Sequence, residues 1–469
     1  MFSSWSSPPS PPPSPRPPHH LNASRSSFAN PWPRSWLPTS LLRIPFVRAE
    51  PFNRPDIEPT KTVTPDWERY EERLDDGLRF TWLGHAGFLV QFPAVDATSN
   101  TIRVVFDPMF GERASPSDWF GPMRWLPPPC AVEDLPAIDF VCISHNHYDH
   151  LHLEALLTLN SRSTDDRPVI FFVPLGVKIL LVTSGIGENR IHELDWWNSM
   201  TFPIPIPSQT PTASTLIPKP SPALSPISSS DTASPSASSS LDTFSIMPSS
   251  PPPSRIVFTL TPTQHNSGRG LLDQGATLWG SWVVKQFWPG GSSLEKIVDT
   301  GENAVGKKGK EREASVWFAG DTGYQTSDGP CPVFKEIGAL HGPFDLAFIP
   351  IWRGASLSFI GKLGYRLSDS TSEALITALH ASPEDAILVS RDVQARHSVA
   401  MHFATFAGSE HEALEPLIRL VEGRESVLGT AGVDDMDGKG RSKGKEDWEE
   451  EGGFGAVDIG GGGVIWVGR

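Results

Sequence analysis

The chemistry of this chain is concentrated in Ile138-Asp-Phe-Val-Cys-Ile-Ser-His145-Asn-His147-Tyr-Asp149-His150, an apolar run that ends in three histidines and a carboxylate within six residues. Imidazole nitrogens and carboxylate oxygens are the ligand set of Zn²⁺ and similar first-row cations. They converge only if the chain turns sharply as it leaves a strand. Four ligands from one turn exceed what a single ion with an open position takes from one loop, so the spacing points to two ions sharing a site.

Three later stretches repeat this arrangement. Ile256–Leu260 runs into Thr-Pro-Thr-Gln-His265, Val316–Gly320 ends on Asp321, and Ser398–Met401 ends on His402. Rigid strands that deliver side chains to loops at one sheet edge are how such sites are built. Taken singly, a histidine after a strand is usually structural, and Asp321 before Thr-Gly reads as a turn cap. Taken with the cluster they complete a set of His145, His147, Asp149, His150, His265, Asp321 and His402, which suits two cations bridged by one carboxylate.

The positioning elements follow from period-two or continuous apolar runs broken by Gly, Pro and Asp. Strands are expected at Leu78–Trp82, Gly84–Gly87, Phe88–Phe92, Ile102–Phe106, Val169–Val173 and Ile191–Trp197, with helices over His152–Leu159 and Leu175–Ser184. Val457–Ile459 and Val464–Val467 are expected closing edge strands. The Pro-, Trp- and Phe-rich loop from Met109 to Cys130 shows little sign of helix, and loops of that length tend to be functional.

Residues 1–27 are Pro/Ser-rich and expected to be disordered, offering too little apolar surface to offset the entropy of ordering. Residues 28–77 form a Trp/Pro arm, and 78–469 are expected to be one domain. Inserts at about 201–254, 290–313 and 432–451 read as disordered loops within it; for the first, strand grammar resumes directly afterwards and its ligands complete the same site.

Composition narrows the class. Lys+Arg 39 against Asp+Glu 54 gives a net charge of −15, which argues against a nucleic-acid partner, since phosphate affinity comes from Lys and Arg. Cys130, Cys142 and Cys331 form no disulfide framework, so a reducing compartment is expected. No run reaches the 18 or so apolar residues of a spanning helix. A cytoplasmic location, or a peripheral one on an intracellular membrane, is the expectation. The absence of acids before Glu50, with Arg16, Arg25, Arg34, Arg43 and Arg48 present, is a weak organelle-targeting signal.

The order strand–His-x-His-x-Asp-His, His, Gly-Asp-Thr-Gly, His resembles the metallo-β-lactamase superfamily. Asn30-Pro-Trp-Pro33, Leu83-Gly-His-Ala86, Asp107-Pro108, Arg113-Ala-Ser-Pro-Ser117, Phe172-Val-Pro-Leu-Gly176, Glu193-Leu-Asp-Trp-Trp197, Leu278-Trp-Gly-Ser-Trp282 and Phe318-Ala-Gly-Asp-Thr-Gly-Tyr324 narrow the likeness to its N-acyl-phosphatidylethanolamine-hydrolysing phospholipase D family. The resemblance spans roughly 28–200 and 255–425. It implies an α/β (α+β) fold, an αββα sandwich, with a di-metal site at the sheet edges, and the ligand types make the expected ions two Zn²⁺. One ion would take His145, His147 and His265, the other Asp149, His150 and His402, with Asp321 between them. It further implies hydrolysis of N-acyl-phosphatidylethanolamine to an N-acylethanolamine and phosphatidic acid on a membrane surface, with a homodimer possible.

Two ions about 3.5–4 Å apart suit a phosphodiester. Asp149 is expected both to ligate and to orient the attacking group, and His380, in His-Ala-Ser-Pro-Glu384-Asp385, to give a proton to the leaving oxygen. Tyr148, Tyr324, Trp279 and Trp282 are the expected substrate-binding set. A metal-dependent lactonase or another small phosphodiester hydrolase would share the same ligands. After Ile351 the segment Trp352-Arg-Gly-Ala-Ser-Leu departs from the family pattern, which leaves acyl preference open.

Overall fold

The computed structural model describes residues 18–33, 46–48, 54–95, 101–117, 119–164, 167–204, 254–270, 272–289, 311–352, 364–367, 379–429 and 444–467. Alternation of apolar side chains builds the first sheet. It contains β1 (Gly77–Gly84), β2 (Gly87–Gln91), β3 (Arg103–Phe106), β4 (Phe140–Cys142), β5 (Ile170–Pro174) and β6 (Ile191–Leu194), with helices α1 (Leu153–Ser161) and α2 (Lys178–Thr183) between them. The second sheet contains β7 (Ser199–Pro203), β8 (Arg255–Thr261), β9 (Ser281–Trp288), β10 (Arg312–Phe318), β11 (Leu346–Pro350), β12 (His397–Met401) and β13 (Gly453–Gly455). Its helices are α3 (Val333–His341), α4 (Pro383–Asp392) and α5 (Glu410–Gly429), and β14 (Gly462–Trp466) returns to close the first sheet.

Strand order is β14-β1-β2-β3-β4-β5-β6 in one sheet and β13-β12-β11-β10-β9-β8-β7 in the other. Each sheet has an antiparallel half and a parallel half, the change falling at β3–β4 in the first and β10–β11 in the second. The parallel halves need helical crossovers, which is why helices cover the outer faces.

Period two decides which side chains meet. Leu78, Phe80 and Trp82 of β1, Phe88 and Val90 of β2, and Val104 and Phe106 of β3 face the second sheet. Their neighbours Leu83, Leu89 and Val105 face the other way, into a separate core with Leu156 and Leu159 of α1 and Leu181 of α2. Between the sheets, aromatic rings stack in pairs: Phe88 on Phe348 at 3.9 Å, Phe172 on Phe258 at 4.1 Å and Phe106 on Phe318 at 4.7 Å between centroids. The layers are α, β, β, α, as expected.

Several local expectations are corrected. Gly84–Gly87 is a turn between β1 and β2, with Gly84 and His85 both at positive φ. The second helix begins at Lys178 and not Leu175. Val457–Ile459 is not a strand, although Ile459 bridges to Thr62, and the edge position beside β12 goes to Gly453–Gly455. Thr201–Pro203 and Arg312–Glu313, assigned to inserts, are ladder residues of β7 and β10. Gly444–Glu449, assigned to the third insert, is a short 3₁₀ helix with Trp448 packed on Phe80. Residues 1–17, 205–253, 290–310 and 430–443 lie outside the described residues.

The end of the Pro/Ser-rich tail is also ordered. His19 Nε2 and His20 Nε2 reach the two oxygens of Asp195, at 2.7 and 2.9 Å, and all three side chains are buried. One carboxylate shared by two imidazoles is an anchor that composition does not reveal. Phe28 N–H donates to Gly275 O (2.8 Å), and Trp32 stacks on Trp196. Among the described residues, no helix is long and apolar enough to cross a membrane.

Phe88 carries no exposed surface and sits under Phe348. Phe88→Ala is expected to cost about 3–5 kcal/mol of unfolding free energy, read as a lower midpoint in urea with little change in slope.

Candidate metal centre

Each ligand stands just past the C-terminal end of a strand. β4 delivers Ser144 to His150, β8 leads through Pro262-Thr-Gln to His265, β10 through Ala-Gly to Asp321, and β12 ends at His402. The turns that aim them are tight. Gly320 has φ +58°, and a Cβ there would sit 2.6 Å from Ser144 Cβ, so only glycine lets β10 pass this close to the His-x-His turn. Three non-glycine residues at the same edge, His85, Asp107 and His402, also have positive φ. Such strain persists only where the surroundings enforce it. Here His402 N–H donates to His85 O at 3.0 Å, and Trp82 Nε1–H donates to the same oxygen at 2.8 Å.

The structure brings the seven expected residues into one pocket, as two clusters. His145, His147, His265 and Asp321 form the first, and Asp149, His150 and His402 form the second together with His85. Asp321 lies between them. Its Oδ2 is 3.6 Å from His265 Nε2, 3.9 Å from His145 Nε2 and 3.2 Å from His150 Nε2, while its Oδ1 is 3.1 Å from His402 Nε2. His145 Nε2 and His147 Nδ1 are 2.8 Å apart, too close for two N–H groups to face each other, so at least one presents a lone pair.

The donor set fits divalent cations. His150 Nε2, His402 Nε2 and Asp321 Oδ1 are buried, and their 3.1–3.2 Å approaches to one another and to Asp321 Oδ2 lack hydrogen-bond geometry. Buried polar atoms left in that state cost about 1–3 kcal/mol each, and a cation removes that cost. Electrostatics agree. Burial, reinforced by the neighbouring His150 and His147, holds His145 well below the ordinary histidine range, so its lone pair is free to ligate. His402 behaves oppositely: burial lowers it, but Asp321 and Asp149 outweigh burial and raise it to about 9. A proton there occupies the place of a cation between the same carboxylates.

Sequence reasoning missed the groups behind the ligands. Asp107 is fully buried and accepts from Ser144 N–H (2.7 Å) and Ser144 Oγ–H (2.5 Å), while its Oδ2 meets His150 Nδ1 at 2.7 Å. Ser144 Oγ also meets His145 Nδ1 at 2.9 Å. His85 Nε2 lies 2.9 Å from Asp149 Oδ2. His265 is braced by the backbone, its Nδ1 lying 2.8 Å from Leu379 O. Ring nitrogens fixed in this way set the tautomer presented to a metal. The available signal was positional: His85 and Asp107 each interrupt an apolar strand run at its C-terminal end.

His380, expected as proton donor, lies at the pocket with Nδ1 3.6 Å from Asp321 Oδ2 and its ring under Trp352 at 4.5 Å. It stands just before α4, whose start is fixed by Ser382 Oγ accepting from Asp385 N–H and by Pro383 in the first turn. Burial pushes it down to about 4, only partly opposed by Asp321, so it is a neutral imidazole at neutral pH. Tyr148 is half-buried under the Arg269 guanidinium, 4.1 Å from the ring centroid.

The other three expected substrate-binding residues are corrected. Trp279 and Trp282 are core residues whose indole N–H groups donate to Thr263 O (3.0 Å) and Ile143 O (2.9 Å). Tyr324 is buried, with its hydroxyl donating to Asp392. Their side chains are buried in the core, with no face open to the cleft. The cleft beside the second cluster is lined by Trp352, Phe403, Phe406, Pro416 and Glu412, with His85 and His402 and two alanines.

A family model described as a beta-lactamase superfamily domain matches residues 102–403. Over 384 residues the chain is 30% identical to N-acyl-phosphatidylethanolamine-hydrolyzing phospholipase D 1 of Caenorhabditis elegans, covering 80% of this chain and 77% of that protein. Over 340 residues it is 24% identical to the mitochondrial N-acyl-phosphatidylethanolamine-hydrolyzing phospholipase D of Saccharomyces cerevisiae, covering 72% of this chain and 50% of that one. Among solved structures, a metallo hydrolase from Ignicoccus hospitalis aligns over 83% of this chain and 98% of its own, with a TM-score of 0.39 and 15% identity.

Asp107→Asn keeps the shape but removes the charge that orients His150 and Ser144. It is expected to weaken metal affinity by about 10–100-fold, measured by competition with a chelator of known affinity, with the thermal transition of the metal-loaded protein falling only slightly.

Proposed function

From a chain that belongs to the metallo-β-lactamase superfamily, in its N-acyl-phosphatidylethanolamine-hydrolysing phospholipase D branch, we propose a phospholipase D reaction that releases an N-acylethanolamine and phosphatidic acid. The protein is a metal-dependent hydrolase of that fold. The finer reading rests on one observation above the rest: Asp321, with an oxygen toward imidazoles of each cluster. We assign two Zn²⁺ to the centre, the first held by His145, His147 and His265, the second by Asp149, His150 and His402, with Asp321 shared.

When bound, such a pair supplies Lewis acidity toward a phosphoryl group and lowers the pKa of water. The side chains supply the rest. Asp149, steadied by His85 at its Oδ2, orients the attacking water in line with phosphorus. His380, neutral and shielded by Trp352, offers an N–H to the leaving ethanolamide oxygen. Trp352, Phe403, Phe406 and Pro416 form an apolar side of the cleft beside the second cluster, with the Glu412 carboxylate among them. A lactonase would use the same ligands without needing that N–H at a phosphoester oxygen.

Metal-loaded protein is expected to release phosphatidic acid from vesicles containing N-acyl-phosphatidylethanolamine and to leave acyl lactones intact; the reverse preference defeats the phospholipase reading. Asp321→Ala is expected to lose activity together with bound metal. His380→Gln is expected to lower kcat about 10²–10³-fold with metal content unchanged, and to spare a substrate whose leaving group is p-nitrophenolate.

A further inference from the structure

The loop between β3 and β4 carries the most exposed aromatic pair among the described residues. Trp119 is 82% and Phe120 78% exposed, with Met123 and Trp125 also at the surface. These are not the side chains of a slack loop. Ala114 N–H donates to Pro122 O (3.0 Å) and Arg124 N–H to Glu112 O (2.9 Å), so residues 112–117 and 119–124 pair as the two arms of a hairpin, with Trp119 and Phe120 near its tip. Gly121, at φ +102°, makes the turn possible, since a Cβ there would lie 2.4 Å from Ser115 Cβ.

The hairpin is fastened to the wall of the metal centre. Arg124 donates to Gly111 O (2.6 Å) and to Met109 O, and its guanidinium lies 5.2 Å from the Phe406 ring centroid. Trp125 N–H donates to Thr405 O (2.7 Å), and Thr405 Oγ accepts from His85 N–H (2.6 Å). The aromatic tip therefore holds a fixed distance from the Asp149 cluster.

We propose that this hairpin docks the enzyme on a zwitterionic lipid surface, with Trp119 and Phe120 entering at headgroup level. The proposal rests on the phospholipid reading above and adds the element that meets the bilayer. Charge selects the kind of surface. At −15 the chain is repelled by an anionic leaflet, and Arg113 and Arg124 both spend N–H groups on backbone carbonyls of the hairpin or its base. What the tip offers is an indole and a phenyl ring, the groups that favour the apolar-polar boundary of a bilayer.

The test is co-sedimentation of the full metal-loaded chain with phosphatidylcholine vesicles, which are not the proposed substrate, so docking is read without turnover. Wild type is expected to bind with little change in about 0.5 M salt, where charge attraction is screened. Trp119→Ser/Phe120→Ser is expected to bind at least about tenfold more weakly, while hydrolysing soluble bis(p-nitrophenyl) phosphate at the wild-type rate. Trp119→Phe is expected to lose part of the fluorescence quenching by brominated phosphatidylcholine. Equal binding by the double variant overturns the proposal. So does binding confined to anionic vesicles, or a change of oligomeric state on substitution, which would make the tip a contact between copies. Docking without phosphatidic-acid release instead refutes the substrate and leaves the hairpin assignment standing.

Discussion

Three carboxylates and the imidazoles around them have to share one small volume, and the fold is arranged so that they can. Asp107, Asp149 and Asp321 lie within one or two hydrogen-bond lengths of His85, His145, His150 and His402. Without a cation, their charges balance only by placing protons on some of the histidines, and several buried atoms still lack partners among the described residues. A cation answers both problems at once. Metal binding and the integrity of this edge are therefore coupled.

That coupling explains why the ligands come from strands and the strain sits in turns. The interlocked aromatic layer, with Phe88 on Phe348 and Phe106 on Phe318, fixes β2, β3, β10 and β11 relative to one another. With the strands fixed, the turns after them must absorb what remains, and His85, Asp107 and His402 do so in left-handed conformations. The hydrogen bonds from Trp82 and His402 to His85 O bind the β1–β2 turn to the end of β12 across the two sheets.

Much of this is legible in the sequence, for identifiable reasons. The His-x-His-x-Asp-His run concentrates its signal within six residues, and the ligands at 265, 321 and 402 follow apolar runs long enough to recognise as strands. The residues behind the ligands are not legible. A lone aspartate before a proline, or a histidine in Gly-His-Ala-Gly, looks like a turn former until another strand is placed beside it. The aromatic residues mislead in the opposite sense. Trp279 and Trp282 sit among Gly and Ser, which reads as loop, yet the small neighbours are there so that β9 can pass close to Thr261 O and Ser144. The tail at His19 and His20 escapes because its anchor, Asp195, lies 176 residues away.

The placement of the inserts carries the argument one step further. Residues 205–253 lie between β7 and β8, 290–310 between β9 and β10, and 430–443 between α5 and the 3₁₀ turn before β13. The first two leave and rejoin at the end of the sheet opposite the ligands, where Pro203 pairs with Arg255 and Trp288 with Arg312. The third rejoins at that same end, where Gly453 pairs with His397 at the start of β12. Because those ends are already neighbours, lengthening the connection adds only a slowly growing closure entropy and leaves His265, Asp321 and His402 undisturbed. The stretch from Trp352 to Leu379 is different. It leaves β11 at the ligand edge and returns at Leu379, whose carbonyl oxygen is 2.8 Å from His265 Nδ1, one residue before His380. Both described ends of this connection touch the centre, Trp352 at the His380 ring and Leu379 at His265, so a change at either end alters the surroundings of the ligands without any change of ligand.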